Sequence, residues 1–205
     1  MKLRLFPQEK AGLEILAKMA AEAVSGAHLL SELLGAAPKD FESLTEQVRA
    51  SEAASTEQFT ALLTNMRTSF VNPLPREDLF TLGRRLNEAS EAITGAAELI
   101  TLHQLDRIPA RASDQLEILT RQAELTADAM RRLDNLDELE EFWIQVLRLS
   151  KRAQRSHRVF DSELLRDLTP AAYSKYRVLA DALVGASVAF RHVATEVGSI
   201  IVKES

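Results

Sequence analysis

Apolar residues recur at three-and-four spacing along most of the chain, and that spacing is the period of an amphipathic helix with one buried stripe. Leu13, Leu16, Ala20, Val24, Ala27, Leu30 and Leu34 set the first stripe, which predicts a helix from about Gln8 to Leu34, ended by Gly35 through Pro38. A second helix is expected after Asp40, read as its N-cap, carrying Leu44, Val48, Phe59, Leu62, Leu63 and Met66 and stopping at Val71-Asn72-Pro73-Leu74-Pro75. Glu77 and Asp78 suit the first turn of a third helix, which runs through Leu79, Leu82, Leu86, Ala89, Ile93, Ala97 and Ile100 to about Arg107. Pro109 closes it. Ser113 and Asp114 are read as opening a fourth helix, through Leu116, Leu119, Ala123, Ala127, Met130 and Leu133 to Asn135. The fifth covers roughly Leu136 to Leu168. The sixth starts after Thr169-Pro170, a cap followed by proline at the first helical position, and continues to about Val202.

Long helices with short connections pack antiparallel, so the expected fold class is all-α, an up-and-down bundle of six long helices. Three helices lie on either side of Pro109, which makes a single domain over 1–205 with halves of about 1–108 and 109–205. Composition agrees with this class. Only 7 Gly and 6 Pro in 205 residues leave little material for the turns of a barrel or sandwich. With no cysteine, the chain has no disulfide framework, thiolate zinc site, iron–sulfur cluster or cysteine nucleophile. A net charge of -5 argues against bare nucleic acid or an anionic lipid surface as the main partner. Pro7, Gln8, Glu9 and Lys10 interrupt the N-terminus before an apolar signal segment forms, and no uncharged apolar run reaches the roughly 18 residues of a membrane span, so a cytoplasmic location is expected.

Candidate chemistry is sparse. His28, His103, His157 and His192 are far apart in sequence, outside any HExxH pair or serine elbow, and read as helix-surface or core-edge residues. There is no Walker loop and no GxGxxG. Glu88 and Glu91 on helix three could ligate a hard metal if Glu52 faced them from helix two, although such spacings are common on soluble helices. Arg148, Lys151, Arg152, Arg155 and Arg158 form the one strongly basic feature, spaced along one broad face of helix five. Its plain reading is a solvated face pairing with nearby acids, Asp137, Glu138, Glu140 and Glu141 among them. Its functional reading is a docking face for an acidic partner or phosphate.

Three segments carry a resemblance: Leu5-Phe6-Pro7 before a long helix; Ser69-Phe70-Val71-Asn72-Pro73-Leu74-Pro75-Arg76-Glu77-Asp78-Leu79; and the ending from Val193-Ala194 to Ile200-Ile201-Val202-Lys203. In that order they resemble the PhoU-like phosphate transport regulator family, whose members accompany a low-affinity inorganic phosphate transporter of the Pit type. The resemblance implies two three-helix bundles and a non-enzymatic accessory or regulatory role in phosphate homeostasis. Its expected partner is an integral-membrane inorganic phosphate transporter at the inner face of the cell membrane, not nucleic acid. The sequence leaves open whether the chain also forms a homodimer. The resemblance further implies acidic Glu/Asp-x-x-x-Asp motifs that bind metal clusters, and here these are eroded. Glu52 is followed by Thr56, Asn87 precedes Glu88 and Glu91, helix five offers Ser150 and Gln154, and helix six offers Val184, Val188 and His192. The expectation is therefore no cofactor, or at most one weakly bound divalent metal at Glu52, Glu88 and Glu91. The competing function is a metal-binding helical bundle, with metal-dependent hydrolytic activity built on those carboxylates.

Overall fold

In a computed structural model that describes residues 10–69, 72–105 and 107–204, the chain is an all-α bundle of six long helices, with no strand among the described residues. The helices are α1 (Ala11–Gly35), α2 (Phe41–Thr68), α3 (Arg76–Leu102), α4 (Ala110–Arg131), α5 (Glu140–Asp167) and α6 (Pro170–Glu204). Leu5-Phe6-Pro7, the expected helix start at Gln8, and Phe70 and Val71 of the central segment lie outside the described residues.

Several boundaries differ from the sequence expectation. Asp40 precedes α2 but makes no side-chain cap bond, because Pro38–Asp40 forms a single 3-10 turn that feeds directly into the helix. Helix α4 begins at Ala110, with Pro109 at the capping position, so Ser113 and Asp114 are its fourth and fifth residues rather than its opening. Leu136–Glu138 is a separate 3-10 turn, and α5 starts only at Glu140. The Thr169-Pro170 start holds, with the Thr169 hydroxyl accepting from the Ala172 N–H at 3.4 Å.

Helix α3 stops at Leu102, before the expected Arg107, and its end is closed by backbone bonds. Leu105 N–H donates to Ile100 C=O and Gln104 N–H to Thr101 C=O, both at 3.1 Å. This double bond pattern needs a left-handed residue between helix and loop, and Gln104 takes it at φ 51°. Leu105, 2% exposed, then folds back into the same core cluster as Ile100.

Helices α1, α2 and α3 pack on one another, as do α4, α5 and α6, and the two groups meet where α1 lies against α4 and α3 against α6. The core does not divide the same way. It forms two clusters stacked along the bundle, and each takes side chains from all six helices. One joins Leu30, Val48, Ile93, Leu119, Phe160 and Leu183. The other joins Leu16, Leu62, Leu82, Met130, Phe142 and Val197. Leu82, Leu86, Ile93 and Ile100 are all buried, as the α3 pattern predicts.

Helix α6 runs through both clusters. Its Pro170–Lys203 segment is long and apolar enough to cross a membrane on length and composition, which corrects the expectation that no stretch approaches that threshold. Its apolar residues are core residues here: Leu183, Phe190, Val193, Val197 and Ile200 are all at most 1% exposed.

Candidate partner-docking face

Helix α5 packs against α4 and α6, and its remaining face looks outward. Phe142, Val146, Ser150, Ala153, Phe160 and Leu164 form its buried stripe. The apolar and basic positions are therefore out of phase on one helix, and burying the first set forces the second outward. Arg148, Lys151, Arg152, Arg155 and Arg158 are all exposed, and among the described residues none of them has a carboxylate partner. Val159 and Leu165, 43% and 64% exposed, follow at the C-terminal end of the same helix.

Of the four acids expected to neutralise this face, Asp137 and Glu140 are exposed and, among the described residues, make no ion pair with it, and Glu138 and Glu141 are engaged elsewhere. Glu138 accepts from the Asn135 amide and lies 3.8 Å from Arg132. Glu141 accepts from Gln145 at 2.8 Å, one turn along its own helix. On the α4 side Glu163 receives the Arg111 guanidinium at 3.0 Å, and Asp114 receives it at 3.1 Å. On the α6 side Tyr173 O–H donates to Asp161 at 2.9 Å, and His157 Nε2 meets Asp181 at 2.7 Å. Arg177 lies 3.9 Å from Asp161 and 3.7 Å from Asp181. These ties between neighbouring helices orient α5 and leave its outward cations alone.

Nothing local in the sequence marked those ties, since their partners are separated by 52, 24 and 12 residues. The hydrogen bond from Arg111 holds the Glu163 carboxyl below the ordinary range. The Tyr173 phenol is pushed up, first by its bond to Asp161 and then by burial.

The three carboxylates read as metal ligands do not come together. No group of three His, Cys, Asp or Glu side chains able to hold a metal occurs among the described residues. Glu88 accepts from Arg84, one turn back, and from Arg85 at 2.8 Å. Burial pushes its pKa up, but Arg85 and Arg84 outweigh that and hold it below the ordinary range. Glu91 accepts from the Asn87 amide at 2.7 Å, and Asn87 in turn accepts from Thr56 at 3.0 Å. Glu52 instead lines a narrow seam with Glu22, Gly26, Ser90 and Thr94, between α1, α2 and α3.

At the corresponding places of the second half, Ser150 is buried while Gln154, Val184 and Val188 are half-buried. The histidines stay apart. His28 lies 3.8 Å from Glu124, the His103 carbonyl accepts from Lys175, and His157 belongs to the α5–α6 tie. His192 is held below the ordinary imidazole value, by burial first and then by Arg85 and Arg191.

No protein-family model matches this sequence, and no curated protein matches it.

Proposed function

We propose that the protein is a non-enzymatic accessory of inorganic phosphate transport that binds an integral-membrane transporter of the Pit type. The observation that supports a docking role is the unpaired basic face of α5, with Arg148, Lys151, Arg152 and Arg155 at its centre. Leaving five cations side by side on a chain of net charge -5 costs repulsion within the helix, and an anionic partner surface removes it. The rest of the helix is fixed by buried apolar contacts and by ties to α4 and α6, so the face is held rigid for a partner. Phosphate transport as the process, and the transporter as the partner, come from the resemblance of the three segments quoted above.

Phosphate uptake by cells that carry the transporter tests this reading. Replacing the chain with an Arg148→Glu, Arg152→Glu, Arg155→Glu variant of unchanged helicity should alter uptake as much as removing the chain does. Uptake that depends on the chain but is indifferent to these three charges contradicts the docking role of α5. Uptake indifferent to the chain itself contradicts the accessory function.

A further inference from the structure

We infer that the basic face of α5 is shaped for an acidic amphipathic helix of a protein partner rather than for anionic lipid headgroups, an inference that rests on the docking role proposed above. The geometry is narrow. At 3.6 residues per turn and a 1.5 Å rise, the five cations from Arg148 to Arg158 fall within about 120° of the helix circumference and roughly 15 Å of its length. That is the footprint of about three turns of one helix laid alongside, with carboxylates at i, i+3, i+4 and i+7 facing the cations.

Four of the five cations are arginines, whose planar forks bind carboxylates with two parallel hydrogen bonds. Just beyond them, exposed Val159 and Leu165 offer apolar contact. The complementary segment is thus acidic opposite Arg148–Arg158 and apolar where it passes the C-terminal end of α5.

The two flanks favour this occupant over a bilayer. Towards α4, Glu163 and Asp114 share the single guanidinium of Arg111. Towards α6, Asp161 and Asp181 share the single guanidinium of Arg177. Beside the C-terminal end of the basic face each flank therefore presents two carboxylates to one guanidinium, with His157 Nε2 also 2.7 Å from Asp181 on the α6 side. A flat anionic surface lowered onto α5 would cover these flank carboxylates together with the cations and set like charges against one another. A partner one helix wide, about 10 Å, touches the basic face and passes between the flanks.

Fluorescence anisotropy with the full-length protein tests the inference. The probes are a helix-forming peptide with glutamates at i, i+3, i+4 and i+7 followed by two leucines, and a scrambled isomer of the same composition; sedimentation with phosphatidylglycerol vesicles is the third arm. The patterned peptide should bind about tenfold or more tighter than its isomer, and Arg152→Glu with Arg155→Glu should weaken it about tenfold or more at low salt. Lys18→Glu, on α1, should leave binding unchanged. Equal binding of the isomer, or no binding of either peptide, overturns the inference. So does vesicle binding that is lost with the same two arginines, which would assign the face to lipid. Because the peptides and vesicles contain no transporter, failure here leaves the accessory function to be judged on uptake.

Discussion

Two glycines on α3 should respond unequally to alanine. Gly83 is buried, and a Cβ placed there would meet Leu62 Cδ2 at 2.6 Å and the Phe59 ring at 2.9 and 3.0 Å. Gly95, one core layer away, would give a Cβ nothing to meet within 4 Å among the described residues. Both lie inside the same helix, so alanine gains about 1 kcal/mol of helix propensity at each. At Gly95 nothing opposes that gain. Stability should rise by about 1 kcal/mol, roughly 2–4 °C in Tm for a chain of this size.

At Gly83 the new methyl overpacks the α2–α3 contact, a change that costs about 1–3 kcal/mol. Leu62 is 0% exposed and cannot retreat, while Phe59, half-buried and 5.9 Å from the Phe80 ring, can give way only in part. Set against the propensity, the clash leaves a net loss of about 0–2 kcal/mol, which puts Gly83→Ala about 1–3 kcal/mol below Gly95→Ala. Urea unfolding followed by far-ultraviolet circular dichroism measures both. A Gly83→Ala protein as stable as the Gly95→Ala protein would refute the tight α2–α3 packing on which the argument stands.

Other perturbations follow from the same core. Leu86→Ala empties a site that is 0% exposed and should cost about 2–5 kcal/mol in chemical denaturation; a loss under about half a kilocalorie would mean that it does not fill the core. Gln115 is 1% exposed with neither amide atom partnered, so Gln115→Leu should stabilise by about 1 kcal/mol or more, and destabilisation would show that the amide is satisfied in solution. On acidification, the depressed carboxyls of Asp134, Glu163 and Asp167, bonded to Lys10, Arg111 and Arg166, contribute stability that is present above the ordinary carboxyl range and lost as pH falls through their lowered values. Tm should therefore drop below about pH 4, with a shallower acid limb in Arg111→Gln; an identical limb would remove the Glu163 pair from that account.

What the sequence showed and what it hid follow one physical division. Local signals were legible. Pro73 and Pro75 separate α2 from α3, Thr169-Pro170 starts α6, and the Leu82, Leu86, Ile93, Ile100 stripe faces the core. Starts that rest on backbone turns were not, because a 3-10 turn at Leu136–Glu138 carries the same apolar period as the helix after it. Which helices meet is a tertiary choice, so the ties from Arg111 to Glu163 and from His157 to Asp181 have no local mark.

For the carboxylates, the sequence also carried a competing signal. Arg84 and Arg85 stand four and three residues before Glu88, the spacing at which a helix pairs opposite charges, and they capture it. The basic face of α5 was visible as a run of cations. Its lack of partners emerges only from the flanking acids, which turn towards α4 and α6.

Site-specific photo-cross-linking in membranes that contain the transporter tests the central claim most directly. A photoreactive side chain at Arg155, in the middle of the α5 face, should yield a covalent adduct with the transporter, weakened by added salt. The same group at Lys18, an exposed position on α1, should yield none. Adducts from Lys18 but not from Arg155, or no adduct from either, would contradict the assignment of α5 as the face by which this bundle docks.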